Sequence, residues 1–356
     1  MNNIAGIREE LKRRGLDAVL VTDERNQRYA AGFPFTDGAV LVAAERAYLI
    51  TDSRYIEAAE AAADDCVTVW LFDGEHPLSA RLREALAACG AERLAAEDRT
   101  LSRAHWLDWE KKLERTFLPA GDLFQTLRAV KSEEEIASMV AAQRISEAAL
   151  EEVLHLLRPG MTEREAAAEL VYRMLRHGAE GNSFDPIVVT GSKTSLPHGV
   201  PGDKVIQAGD FVTMDFGCLK NGYCSDMTRT VAIGSATDEM KNVYDVVLRA
   251  QLAGIRAAKA GVLGRDIDRA ARKVIEEAGF GPYFGHGFGH CLGLEIHEPP
   301  FASPKGDKPL PAASLSSAEP GIYLPGRFGV RIEDVMILRE TGAELITRAP
   351  KELIIL

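Results

Sequence analysis

Cysteine is scarce in this chain and poorly placed for cross-linking. The 356 residues hold five, at positions 66, 89, 218, 224 and 291. The number is odd and no two form a CxxC pair, which argues against a disulfide framework or a thiolate zinc site. Reduced thiols in a cytoplasmic protein are the simplest account. Long apolar runs are missing too: the longest stretch without Asp, Glu, Lys or Arg is 278–294, and it is rich in Gly and His. Such a segment cannot span a membrane. The opening MNNIAGIREELKRRG lacks the apolar centre of a secretory signal and reads as the start of an amphipathic helix. Positive charge is in deficit, with 42 Lys and Arg against 53 Asp and Glu for a net −11. That balance argues against nucleic acid or an anionic membrane as the main partner.

What is present describes an ordinary globular chain, 46% hydrophobic and 27% charged, long enough for two domains. DAVLVT (17–22), AVLVA (39–43), YLIT (48–51) and CVTVWL (66–71) read as strands, and segments near 53–63, 78–88 and 102–113 as helices. This alternation predicts an α/β layer domain. No Gly-rich phosphate loop follows any of its strands, so nucleotide binding there has little support. A connector lies around 122–131. After it, Ser132 and Glu135 form a capping box, and apolar residues recur at helical spacing from Ile136 to Leu157 until Arg158-Pro159-Gly160 ends the run. The boundary falls within 121–132, giving domains 1–125 and 126–356. Within the second, GMTEREAAAELVYRMLRHG (160–178) and GVLGRDIDRAARKVIEEAG (261–279) run Gly to Gly over the same step, 101 residues apart. Each precedes a histidine, His198 and His297. A duplicated fold with a pseudo-two-fold axis is expected, the chemistry lying between its halves.

Four carboxylates and one histidine carry that chemistry: Asp215 in MDFG, Asp226 in SDMTRT, His290 in GHCLGLEIHE, Glu319 in AEPGIY and Glu333 in RIED. Two divalent ions bring four positive charges, which four carboxylates cancel, leaving a position for a bridging hydroxide. Asp215 and Asp226 permit a geometric expectation. Asn221-Gly222 is a strong two-residue hairpin signal. If those residues form the loop, Lys220 pairs with Tyr223, Gly217 with Asp226 and Asp215 with Thr228. The two aspartates then project from one face. Ionised together and unpaired they would repel, and a metal pair removes the conflict. His290 lies among Gly285, Gly287, Gly289 and Gly293, which let backbone approach closely. Glu319 precedes a Pro-Gly turn at a strand end. In VRIEDVMIL alternation places Arg331, Glu333 and Val335 on one face; an exposed Arg331–Glu333 salt bridge is the bland reading of that segment.

As an ordered set these motifs resemble the pita-bread metallopeptidases, and among them the Xaa-Pro peptidases, aminopeptidase P and prolidase. GFPFTDGAVLV and LITDSRYIEAA are similar to the creatinase-type N-terminal domain, while LPHG, MDFG, SDMTRT, GLEIHEPP, EPGIY, GVRIED and PKELIIL are similar to the catalytic domain. The resemblance implies an α/β (α+β) protein, a creatinase-like domain followed by a pita-bread domain with pseudo-two-fold symmetry. It implies five metal ligands, Asp215, Asp226, His290, Glu319 and Glu333, with Asp226 and Glu333 bridging. His198 and His297 match two histidines that meet the substrate carbonyl and shuttle protons. Cys291 departs from the pattern, since the family usually has Gly after the metal histidine; the side chain either crowds the metal pocket or points away. A cytoplasmic homodimer is also an inference from the family.

The activity implied is hydrolysis of the bond before proline, in Xaa-Pro dipeptides or at the N-terminus of longer peptides, by a hydroxide on the metal pair. Glu319 would carry the proton, and Arg331 would either orient Glu333 or meet a substrate carboxylate. Arg327 and Lys305 are further candidate cations for that carboxylate. Ligation by carboxylates and one imidazole suits Mn²⁺, and also Co²⁺ or Zn²⁺. Three alternatives compete. A methionine aminopeptidase normally lacks the long N-terminal domain, and creatinase lacks the ligand set. A non-catalytic peptide-binding relative would have lost ligands that this chain keeps.

Overall fold

The computed structural model describes residues 2–356, which divide into two compact units, Met1–Leu127 and Arg128–Leu356. The first is a six-stranded mixed sheet in the order Val67–Leu71, Ala47–Thr51, Gly38–Ala43, Ala18–Val21, Leu94–Ala96 and Leu118–Pro119. Every residue of Ala18–Val21 is buried, as expected of a short apolar strand covered on both faces. Four elements were not foreseen: strand Leu118–Pro119, helix Leu123–Ala129 where a connector was expected, and two more. Helix Glu24–Ala31 is started by Asp23, whose carboxylate accepts from the Arg25 and Asn26 N–H groups. Strand Leu94–Ala96 lies in an alanine-rich stretch without strand periodicity.

At the end of that strand Glu97 is buried and accepts from Thr22 N–H (2.6 Å), Asp23 N–H (2.9 Å) and Asn26 Nδ2 (2.7 Å). Burial pushes its carboxyl up to about 7 against those donors. A folded value raised above the unfolded one means stability that is full below about pH 4.3 and is lost as pH rises through 7. Glu97→Gln is therefore expected to flatten the fall in melting temperature of the wild-type protein between pH 5 and 8. A calorimetric series in which both proteins fall in parallel contradicts this.

The second unit carries four long helices, Glu133–Leu154, Glu163–Arg176, Asp238–Ala257 and Gly264–Glu277, around short sheets. The capping box at Ser132 and Glu135 is present in full. The helix stops at Leu154, three residues before the expected Leu157, where the Leu156 N–H turns back to Val153 O in a tighter turn. The repeat is real at the level of individual hydrogen bonds. Glu163 and Arg164 N–H donate to Lys204 and Gly202 O, while Gly264 and Arg265 N–H donate to Lys308 and Gly306 O. Gly160 donates to Ile206 O and Gly261 to Leu310 O in the same way. Each half thus starts its helix by clamping the chain segment that leads into its sheet.

The sheets carry the candidate site at their strand ends. Strand Phe211–Phe216 lies between Met227–Ala232 and Ile187–Thr190. A five-stranded sheet runs Glu298–Ala302, Gly289–Cys291, Leu315–Ala318, Asp334–Arg339 and Gly342–Leu345. The stretch VRIEDVMIL is not one strand: Phe328–Arg331 pairs with Gly321–Leu324, and Asp334–Arg339 belongs to the five-stranded sheet. Ile332 and Glu333 form the break between them.

Candidate metal centre

The hairpin register is the expected one. Lys220 faces Tyr223 across Asn221-Gly222, and Asp215 faces Thr228. Asn221 takes the left-handed conformation that such a turn requires, with φ of 50°. Asp215 sits near the end of its strand and Asp226 immediately before the next. His290 is the middle residue of Gly289–Cys291, Glu319 follows Leu315–Ala318 directly, and Glu333 precedes Asp334–Arg339. Gly289 is what allows the second sheet to bring His290 in: a Cβ there would lie 2.1 Å from Ser317 O.

All five side chains line one cavity of about 570 Å³, together with His198, His286, His297 and Arg331. Asp226, His290 and Glu333 each offer a ligating atom, and those three atoms lie within 4.8 Å of one another. His290 Nε2 is 3.6 Å from Asp226 Oδ2 and 3.3 Å from Glu319 Oε1. Its Nδ1 lies 3.1 Å from Cys291 O. A carbonyl only accepts, so Nδ1 carries the hydrogen and Nε2 is the atom turned toward the carboxylates. Ser317 joins the two neighbours, accepting from His290 N–H at 3.0 Å and donating to Glu319 Oε1 at 3.2 Å.

The electrostatics are those of too much negative charge in too little water. Burial, then the charge of Asp215, raises Asp226 well above the ordinary carboxylate range. Burial, then Asp226, does the same to Glu333. Burial also raises Asp215, with Glu319 adding to it and Arg331 opposing. Glu319 is the exception. Burial raises it, but the hydrogen bond and charge of His290 outweigh that and hold it at about 2. In return His290 is carried to about 9 despite burial that lowers it. Without metal, then, the cluster holds protons and one internal ion pair.

This donor set fits divalent cations. Buried carboxylate oxygens with one imidazole nitrogen are the ligands hard and borderline ions take. Asp215 Oδ1 is buried with no hydrogen-bond partner, an arrangement that costs free energy unless something positive meets it.

Arg331 behaves differently from expectation. It is buried and makes no direct bond to Glu333. Its guanidinium pairs with Asp215 Oδ2 and donates to Tyr323 Oη (2.8 Å), Thr228 Oγ1 (3.0 Å) and Pro197 O (3.2 Å). Thr228 Oγ1 in turn donates to Glu333 Oε2 at 2.7 Å. Arg331 thus supports Asp215 directly and Glu333 through Thr228, and four protein acceptors already use its donors. Of the other cations considered, Arg327 pairs with Glu239 at the surface. Lys305 lines an adjoining cavity of about 280 Å³ that shares His286, Gly287 and Ser303 with the site. Cys291 is buried in the apolar core and does not line the site, so it does not crowd it. Burial pushes its thiol up to about 11, which leaves it protonated and inert.

The residues that sequence reasoning missed are the supporting ones: Thr228, Ser317 and Tyr323. Tyr323 Oη lies 2.9 Å from His286 Nε2. Thr228 and Tyr323 sit inside the motifs SDMTRT and EPGIY, but nothing in the local pattern marks them as polar supports.

Comparison with known proteins identifies the family. Residues 137–340 match the profile of Metallopeptidase family M24, and residues 4–130 that of the Creatinase/Prolidase N-terminal domain. An Xaa-Pro dipeptidase of Pyrococcus horikoshii is 34% identical over 348 residues, 97% of each chain. The structure is similar to that of an Xaa-Pro dipeptidase from Bacillus anthracis, 42% identical with a TM-score of 0.95 over 99% of each chain. It is also similar to an X-Pro aminopeptidase from Thermotoga maritima MSB8, 38% identical with a TM-score of 0.93 over 98% of this chain and 100% of that one. Among the described residues no helix is long and apolar enough to cross a membrane. The chain belongs to metallopeptidase family M24: it is a metal-dependent peptidase with a creatinase-like α/β N-terminal domain followed by a pita-bread domain.

Proposed function

We propose that this enzyme hydrolyses the bond between an N-terminal residue and proline, and that Asp215, Asp226, His290, Glu319 and Glu333 hold two divalent ions, with manganese the first to test. The observation that carries the reading is the convergence of these five side chains on one cavity with His198 and His297. The dipeptidase and aminopeptidase relatives supply the proline specificity.

Held by Asp215, Asp226, His290, Glu319 and Glu333, divalent ions would supply Lewis-acid activation of water and of the substrate carbonyl. The chain's own groups do the rest. Glu319 takes the proton of the attacking water and returns it to the leaving proline nitrogen, which carries no hydrogen of its own. His290 and Ser317, at 3.3 and 3.2 Å from its Oε1, hold that carboxylate in place. His198 and His297, both exposed on the cavity wall, donate to the carbonyl oxygen as charge builds on it. Partial desolvation at the cavity wall, then the charge of His290, lowers His297 below the ordinary imidazole range. As a neutral ring it can accept a proton as well as donate one. Arg331 keeps Asp215 oriented, and its donors are too committed for it to serve as the main anchor of a substrate carboxylate.

The test is a comparison of Ala-Pro-Ala-Ala, Ala-Pro and Ala-Ala-Ala-Ala with manganese-loaded protein. Release of alanine from the proline peptides should exceed that from Ala-Ala-Ala-Ala by roughly 10- to 200-fold, the range that shape discrimination in an apolar pocket supplies. Equal rates on all three would contradict the proline specificity. The ratio of the first two separates an aminopeptidase from a dipeptidase.

A further inference from the structure

Behind the segment that carries His198 lies a carboxylate with no contact to solvent. Glu163 is the first residue of helix Glu163–Arg176 and is 0% exposed. Its Oε1 accepts from Thr190 N–H at 3.0 Å. Its Oε2 accepts from Gly202 N–H at 3.0 Å and from the Lys193 ammonium at 2.6 Å. Thr190 and Gly202 are the two ends of the segment. Lys193 also donates to Val200 O at 2.6 Å, two residues beyond His198. One carboxylate and one ammonium therefore tie the segment at both ends and at Val200, while His198 itself is left exposed on the cavity wall.

The pseudo-symmetric half meets the same need with different residues. Its helix begins with the same main-chain clamp, but Gly264 stands where Glu163 stands, because a Cβ there would lie 2.0 Å from Phe301 O. There the segment of His297 is held by Glu298, which pairs with Lys131 Nζ at 3.0 Å and with Arg128 and accepts from Glu295 N–H at 3.2 Å. Each half thus ties the segment of its exposed histidine with a buried carboxylate and its cation, built from residues that do not correspond in sequence. A buried ion pair gains little stability, since desolvation offsets the attraction; its best-attested use is to fix one arrangement among several.

We infer that Glu163 and Lys193 are positioning residues for His198, holding its segment so that the imidazole meets the substrate carbonyl. The inference rests on the peptidase reading above, and its test separates the two. Lys193 is the residue to change first, because its side chain is partly exposed while that of Glu163 is fully buried. Turnover of Ala-Pro-Ala-Ala by the manganese-loaded protein is measured for Lys193→Met, Lys193→Arg and Glu163→Gln, each with His198 intact and in a His198→Ala background. With His198 intact, Lys193→Met should lower kcat by about 10- to 100-fold, the usual effect of removing a group that orients a site residue. KM should stay near wild type, the melting temperature should fall because Glu163 is left buried without its cation, and Lys193→Arg should recover part of both losses. In the His198→Ala background the same change should cost no more than about twofold, since coupled residues are not additive. An equal loss in both backgrounds, or none with His198 intact, overturns the inference. A wild-type protein that leaves Ala-Pro-Ala-Ala uncut contradicts the peptidase reading itself, and the inference falls with it.

Discussion

Glu319→Gln should reduce turnover by at least about 10³-fold while leaving the fold intact. Positioned proton transfer alone is worth 10²–10⁴ in rate, and the substitution also removes one of four negative charges proposed to hold the metal pair. The side chain is well chosen for the test. Glu319 Oε1 accepts from Ser317 Oγ at 3.2 Å, and a glutamine oxygen can accept the same bond, so local geometry is retained. What is lost is the ability to take a proton and the charge that holds His290 near 9. In the metal-free variant His290 should consequently titrate much lower, a change visible in the ring resonances by NMR. If Glu319→Gln keeps activity within tenfold of wild type, the proton is carried elsewhere.

Asp226→Asn should make the metal-free protein more stable and the metal-loaded protein less so. The first half of that result follows from the order of effects on Asp226: burial and the charge of Asp215 raise its carboxyl, and the attraction of His290 ranks below both. A folded value above the unfolded one contributes stability that is full below the unfolded value, near pH 4, and is lost as pH rises through the folded value. Metal-free wild type therefore weakens from acid toward neutral pH, and the asparagine, a permanently neutral copy of the protonated acid, removes Asp226's share of that loss. The second half follows from mass action. A ligand at a hundred times its dissociation constant stabilises the protein that binds it by about 2.7 kcal/mol, and each kcal/mol moves the melting temperature of a unit this size by about 2–4 °C. Wild type gains this with manganese and Asp226→Asn does not. Melting curves at pH 8 in chelator and in manganese should cross, with the variant higher in the first and lower in the second. A variant that melts below wild type in chelator shows that Asp226 is stabilising without metal, against the electrostatic account.

Much of the architecture was legible because it is encoded locally. The Asn221-Gly222 turn fixed the register that sets Asp215 against Thr228, and Ser132 with Glu135 marked a helix start. The matched glycines at 160 and 261 marked two halves whose clamping hydrogen bonds correspond. The misses have physical reasons. Strand Leu94–Ala96 is three residues long and mostly alanine, so it has no period to read. The alternation in VRIEDVMIL suggested one strand, yet the chain changes sheets at Ile332-Glu333, and alternation survives a break of that kind. The partner of Arg331 could not be read at all. Asp215 lies 116 positions earlier, and local spacing said only that Glu333 was near. The same holds for Glu163, whose role depends on a segment that begins 27 positions later and returns to it at Gly202.

The proposed function holds that these clustered acids coexist because paired cations bind among them. The direct measurement is diffraction from crystals grown with manganese, collected on both sides of its absorption edge. Two anomalous peaks are expected among Asp215, Asp226, His290, Glu319 and Glu333, with Asp226 and Glu333 touching both. A cavity without anomalous density at saturating manganese, or peaks bound by other side chains, would contradict the account.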